Sequence, residues 1–303
     1  MKFLFCASVI AAFVFIFVYP SNSETRPPII DVHLHAFDLT EFGDPPPPNF
    51  ANGKPSPYAG KMDAFEAVTA EMKKNNIVKA VVSGRLQEVL RWQEKAPDVM
   101  IGSAFFSERS PLPAIPELHS YLKSGKLQAI GELGLQYAGL TASDPRFEEY
   151  FAVAERLDVP VGIHTGLGAP GSPYTCCPNF RVTLGKPSEL EEMLVKHPKL
   201  RVYLMHAGYP YINETLAILY MYRHVYVDIA VLNWVIPREE FHNYLRALVR
   251  AGMAKRIMFG SDQMVWPEAI SMAIEGVESA EFLSEEQKRD IFYNNAMRFF
   301  KWE

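Results

Sequence analysis

"IIDVHLH", residues 29–35, is the stretch on which the fold reading turns. Ile29, Ile30, Val32 and Leu34 form a short apolar run of the kind found in strands buried on both faces. His33 and His35 close it. Residues two apart on a strand share a face, so both imidazoles should enter one space. A metal ion or a polar cluster would suit them there. Asp31 stands two residues earlier and is a candidate to support the pair from behind.

Seven more runs of this type follow, predicting strands at 79–84, 100–106, 129–136, 159–166, 201–208, 225–231 and 256–262. Between them, apolar residues at i, i+3 and i+4 predict helices that include 62–75, 85–95, 145–157, 187–197, 210–222 and 237–251. Pro187 and Pro237 stand where a missing N–H costs little. "SEEQ" from Ser284 reads as a capping box opening the last helix. Eight strands alternating with helices predict a (β/α)8 TIM barrel. An open doubly wound sheet shares the alternation, but no Gly-rich phosphate fingerprint follows an early strand.

Ahead of this lies Lys2 and an apolar run at 3–19 broken only by Ser8, then a small polar exit at Pro20–Ser23. It reads as a secretory signal over 1–23, leaving 24–303 as one barrel domain in a secreted or periplasmic protein. If uncleaved, the run is just long enough to anchor the chain in a bilayer. A net charge of −5 without a clustered Lys/Arg run argues against a nucleic-acid partner. A small-molecule substrate is expected instead; oligomeric state stays open. Of three cysteines, only Cys176 and Cys177 lie in the mature part. They read as two loop thiols, since neighbours form a strained mutual disulfide and no CxxC spacing is present. Two connections, 36–61 and 167–186, are long and Pro-rich, and both leave carboxyl ends of strands, the face where barrels keep their active sites.

The polar residues at that face carry the chemistry. Besides "VHLH", the fourth strand carries Glu132, the fifth His164, the sixth His206 and the eighth Asp262. Singly, each has a bland reading, such as a hydrogen-bonded rim histidine or an aspartate capping the next helix. Jointly, four imidazoles and two carboxylates in a dry cavity are costly unless a cation compensates them. Zn²⁺ is the first expectation, with Mn²⁺, Fe²⁺ or Co²⁺ also acceptable to these donors. His119, His197, His224 and His242 fall on helices or connections and receive no role. Tyr58, Tyr174 and Trp234 are candidates to line the pocket.

With these motifs in place, the chain resembles the amidohydrolase superfamily, in its amidohydrolase-related branch of metal-dependent barrel hydrolases and decarboxylases. "DVHLH", "GIHTG", "LMHAGYP", "VYVDIA", "RIMFGSDQ" and the closing "LSEEQKRDIFYNNAMRFF" carry the likeness. "AIGELGLQY" is instead more similar to TatD-type nucleases, whose Glu is a metal ligand, although those have Asp where Gln136 stands. The resemblance implies one of two ligand schemes. In the first, Glu132 bridges two ions, one on His33, His35 and Asp262, the other on His164 and His206. In the second, His33, His35, His164 and Asp262 hold one ion, while His206 moves a proton or orients substrate.

The implied reaction is hydrolysis of an ester, lactone or amide by a metal-activated water, with Asp262 as proton carrier and His206 at the oxyanion. The same branch makes non-oxidative decarboxylation the alternative, for which Arg85 is a candidate substrate anchor. A nuclease ranks third. A non-catalytic metal- or ligand-binding barrel should have lost ligand residues, and all six are present.

Overall fold

A computed structural model describes residues 26–302; the expected signal segment lies outside the described residues. The strands are β1 (Ile29–His35), β2 (Ile77–Ser83), β3 (Met100–Phe106), β4 (Ala129–Leu133), β5 (Val161–His164), β6 (Val202–Met205), β7 (Val225–Asp228) and β8 (Ile257–Met258). They pair in parallel in sequence order. The Val32 amide donates to the Phe259 carbonyl (3.0 Å) and the Asp262 amide to the His33 carbonyl (2.8 Å). These bonds tie the last strand back to the first, and the fold is the predicted TIM barrel.

Ile30, Val32, Val81, Ile101, Ala129, Tyr203, Met205 and Met258 pack inside the barrel with Phe299 and Phe300 of the C-terminal helix. Arg201, at the entry to β6, donates to the Phe299 carbonyl. The helix therefore plugs the amino-terminal end and leaves the carboxyl end for chemistry. Leu34, Val82, Ile130, Leu133, Val202 and Leu204 face outward into the core shared with the helices. Each such side chain stabilises the fold by about 1.5–3 kcal/mol through burial.

The last five strands stop two to four residues before their predicted ends. His206–Gly208 is a single tight turn, with φ at +60° for His206 and +49° for Ala207, and Asp262 lies at +49°. His206 and Asp262 thus stand on turns just past β6 and β8 rather than on the ladders. Among the described residues, two long helices outside the predicted set appear, Ile115–Lys123 after β3 and Ala269–Glu278 after β8, beside the single turns Ser172–Thr175 and Leu232–Val235. The capping box at Ser284 is present, both of its bonds formed.

Two register shifts aim the site. In β1, Ile30 and Val32 point inward; past an irregularity between Asp31 and Leu34, His33 and His35 take the inner face and Leu34 goes outward. In β4, Ala129 points inward, and a shift between Ile130 and Leu133 turns Glu132 inward and Leu133 outward. Such irregularities re-aim side chains beside active sites. Gly131 permits the second one. Its φ is +138°, and a Cβ there would sit 2.5 Å from the Gly162 carbonyl oxygen.

Candidate metal centre

Each of the four strand-end histidines engages an outer partner with one nitrogen and presents the other to a common centre. His33 meets Asp228 Oδ2 through Nδ1 (3.0 Å), and His35 meets Ser83 Oγ through Nδ1 (3.0 Å). His206 Nδ1 lies 3.1 Å from the Ala230 carbonyl and His164 Nε2 lies 3.1 Å from the Leu167 carbonyl. A carbonyl only accepts, so those two nitrogens carry the proton. The other nitrogens of these two rings, His206 Nε2 and His164 Nδ1, face inward, as does Nε2 of His33 and His35, and offer lone pairs to a cation once any proton there is released. Outer partners of this kind fix the tautomer of metal-binding imidazoles.

Glu132 sits between the rings. Its Oε1 is 2.5 Å from His164 Nδ1 and 3.4 Å from His206 Nε2; its Oε2 is 3.3 Å from His35 Nε2 and 3.7 Å from His33 Nε2. Asp262 Oδ1 lies 3.0 Å from His35 Nε2 and 3.8 Å from His33 Nε2. All six side chains are buried, with at most 8% exposure. His33 Nε2 is buried without a hydrogen-bond partner, and Asp262 Oδ1 has only the His35 ring nitrogen beside it, out of line for a good hydrogen bond; a cation would remove this cost. Three ligand triplets have donor atoms within 4.8 Å of one another: His33–His35–Glu132, Glu132–His164–His206 and His33–His206–Asp262. The donor set fits a divalent cation.

The electrostatics agree. Burial would raise both carboxylates, but the surrounding histidines outweigh it, holding Glu132 well below the ordinary carboxylate range and Asp262 below it. Burial would depress the imidazoles, yet Asp228 and Asp262 hold His33 well above its ordinary value. His35 and His206 are raised against burial by bonds to Asp262 and Glu132, respectively. Burial and the neighbouring His206 lower His164. The metal-free centre thus balances its carboxylates with protons, which a dication would displace.

Asp31, which burial pushes up to about 6, supports backbone rather than imidazole. Its Oδ1 accepts from the amides of His33 and Ser261, both at 3.0 Å. Sequence reasoning missed Asp228. Besides His33, it holds the amides of His206 (2.9 Å) and Ala230 (3.0 Å), so one carboxylate aligns two ligand-bearing segments. The signal was available in "VYVDIA", a charged residue ending an apolar strand.

The aromatic candidates for the pocket are elsewhere. The Tyr58 hydroxyl bonds Glu71 (2.5 Å), the Trp234 indole bonds the Ser261 carbonyl (2.7 Å), and Tyr174 is 93% exposed. The rings that touch the centre are Phe37, stacked on His35 at 4.3 Å, Phe105, edge-on to His35 at 6.0 Å, and Tyr137, edge-on to His164 at 4.9 Å. Arg85 pairs with Glu41 (2.6 Å) and lines a separate cavity of about 560 Å³ behind Phe37, which none of the six ligands lines. Gln136 donates to the Gly166 carbonyl (3.0 Å) and does not join the centre. Cys176 and Cys177, expected as free thiols, are joined by a disulfide. The turn after the short helix Ser172–Thr175 directs both of their amides at the Ser172 carbonyl and brings the sulfurs together.

Residues 30–302 match the amidohydrolase family (Amidohydro_2: Amidohydrolase). The chain belongs to this family. Among curated proteins, this amidohydrolase is similar to protein fluG of Emericella nidulans, 21% identical over 47% of the chain and only 17% of that protein. Its fold is shared with a probable 2-pyrone-4,6-dicarboxylic acid hydrolase of Acinetobacter baumannii, solved with citric acid bound (15% identity, TM-score 0.63, covering 91% of this chain and 100% of that one). It is shared too with a 5-carboxyvanillate decarboxylase of Novosphingobium aromaticivorans, solved with manganese (15% identity, TM-score 0.64, 92% and 98%). Membership makes the amidohydrolase an enzyme of the metal-dependent type.

Proposed function

We propose that the amidohydrolase hydrolyses a small-molecule ester, lactone or amide. The observation that carries this is the convergence of four imidazole nitrogens and two carboxylates, with His33 Nε2 buried and unpartnered among them. His33, His35 and Asp262 would hold one ion and His164 and His206 a second, with one Glu132 oxygen turned to each pair. When bound, a divalent cation supplies a Lewis acid and makes water a competent nucleophile near neutral pH. Asp262 takes the water's proton as the water oxygen bonds to the carbonyl carbon. The acyl bond to the leaving group then breaks, and Asp262 returns the proton to the departing atom. If a single ion binds, on His33, His35, His164 and Asp262, His206 is left to face the developing oxyanion.

The carboxylates of the centre pair only with histidines. Among the described residues, no Lys or Arg forms an ion pair with Glu132 or Asp262. A second reading, non-oxidative decarboxylation of an aromatic acid, draws support from Phe37 and Phe105 beside His35 and from the decarboxylase among fold neighbours. The test is a panel of esters, lactones, amides and hydroxybenzoic acids, run with Zn²⁺ or Mn²⁺ and scored for acid and for CO₂ release. Hydrolysis that disappears in Asp262→Ala supports the first reading; CO₂ release without hydrolysis replaces it with the second. We propose also that the enzyme is exported through residues 1–23, so a purified secreted form should begin near residue 24 by mass spectrometry.

A further inference from the structure

The ring of Tyr137 is clamped beside the centre while its hydroxyl hydrogen is uncommitted. Tyr137 lies on the turn Leu135–Ala138, directly after the strand that delivers Glu132. One edge meets His164 and the ring packs on Phe180 at 5.1 Å. Gly168 makes room for this pair, since a Cβ there would lie 2.7 Å from Phe180 and 2.8 Å from the Tyr137 hydroxyl oxygen. The Ala169 amide is within hydrogen-bonding reach of that oxygen, and the charges of Glu132 and Asp262 bear on it. One lone pair of the oxygen thus faces backbone, while no side chain among the described residues accepts its hydrogen. Tyr203, by contrast, lies inside the barrel and directs its hydroxyl to the Val32 carbonyl at 3.5 Å.

We propose that Tyr137 is a catalytic hydrogen-bond donor, its hydroxyl meeting the carbonyl or leaving oxygen of the substrate at the mouth of the metal centre. The assignment rests on the carbonyl-substrate reading above. A phenol suits the position because it stays protonated at neutral pH and adds no charge beside a dication. Loss of a donor aimed at developing negative charge costs about 10²–10³-fold in kcat at the strongest sites. A phenol at a partly open mouth should fall at or below the bottom of that range.

The test compares the Zn²⁺-loaded full chain with Tyr137→Phe, which keeps the ring. On phenyl acetate and 3,4-dihydrocoumarin, kcat should fall roughly 10- to 100-fold, with KM changed less than about threefold and metal content unchanged. Gly168→Ala, which crowds the same hydroxyl, should lower kcat in the same direction. Independently of turnover, phenylphosphonate, a mimic of the tetrahedral oxyanion, should bind Tyr137→Phe about tenfold or more weakly by calorimetry. Equal kcat in wild type and both variants overturns the role of Tyr137 and leaves hydrolysis standing. If wild type cleaves neither probe yet binds phenylphosphonate in a Tyr137-dependent way, hydrolysis fails and the donor stands. Phosphonate binding that is absent, or equal in wild type and Tyr137→Phe, overturns the donor.

Discussion

Asp228 carries three hydrogen bonds on two oxygens, and one of them sets which nitrogen of His33 faces the centre. Removing it leaves the His206 amide unmatched and lets the His33 ring rotate. Loss of such an outer partner typically weakens metal binding 10- to 100-fold, about 1.4–2.7 kcal/mol. Asp228→Ala should therefore lose metal in a competition titration against a chelator, while Asp228→Asn, which retains an acceptor oxygen, loses less. An affinity equal to wild type in the alanine variant would remove Asp228 from the site. Replacing a ligand should act more strongly. His33→Ala and Asp262→Ala are each expected to abolish hydrolysis while far-ultraviolet circular dichroism remains that of the folded barrel, and wild-type turnover in both would defeat the mechanism.

At the scale of elements, the barrel aims its ligands by breaking strand periodicity. In β4, Glu132 reaches the centre only because the register shifts beside Gly131. Gly131→Ala places a methyl 2.5 Å from the Gly162 carbonyl oxygen at φ +138°, a conformation L-residues rarely adopt. The combined strain and overlap should cost about 2–5 kcal/mol. Thermal unfolding should shift down by several degrees, with bound metal falling at the same time; a variant that melts and binds metal like wild type would show that the shift does not depend on glycine. The same two irregularities mark the limit of what the sequence discloses. Apolar runs announce all eight strands, and polar residues at their ends announce the six side chains that converge, because burial demands the first and a shared polar centre the second. A period of two does not announce where a strand changes face, so Glu132 beside Ala129 could not be assigned inward from pattern alone. Asp228 went unassigned although its signal, a charged residue ending an apolar strand, matched that of the converging residues. The inward aromatics Phe37, Phe105 and Tyr137 depend on loop paths that no local rule fixes.

For the whole molecule, protons and metal compete for one buried cluster, so stability and metal binding should respond to pH in opposite ways. His33, His35 and His206 are raised above the ordinary 6.5. The stability they contribute to the metal-free protein is fully present below pH 6.5 and is lost as pH rises through their folded values. Glu132 and Asp262 are lowered from 4.5 and 3.8, so their contribution is present above those values and is lost as pH falls through their folded ones. From these five groups, the metal-free protein is therefore most stable between about pH 4.5 and 6.5, while His164, lowered by burial and by His206, works against them as pH falls below 6.5. A dication must expel the histidine protons, and its affinity gains up to about tenfold per pH unit for each proton released. The thermal midpoint of the metal-loaded enzyme should thus pull ahead of the chelated enzyme as pH rises from 6 to 8. The comparison needs one fixed excess of metal, because binding stabilises by mass action. A gap that stays constant over this range would mean that the histidines of the free enzyme are already neutral. The inward-facing lone pairs would then bind metal without displacing a proton.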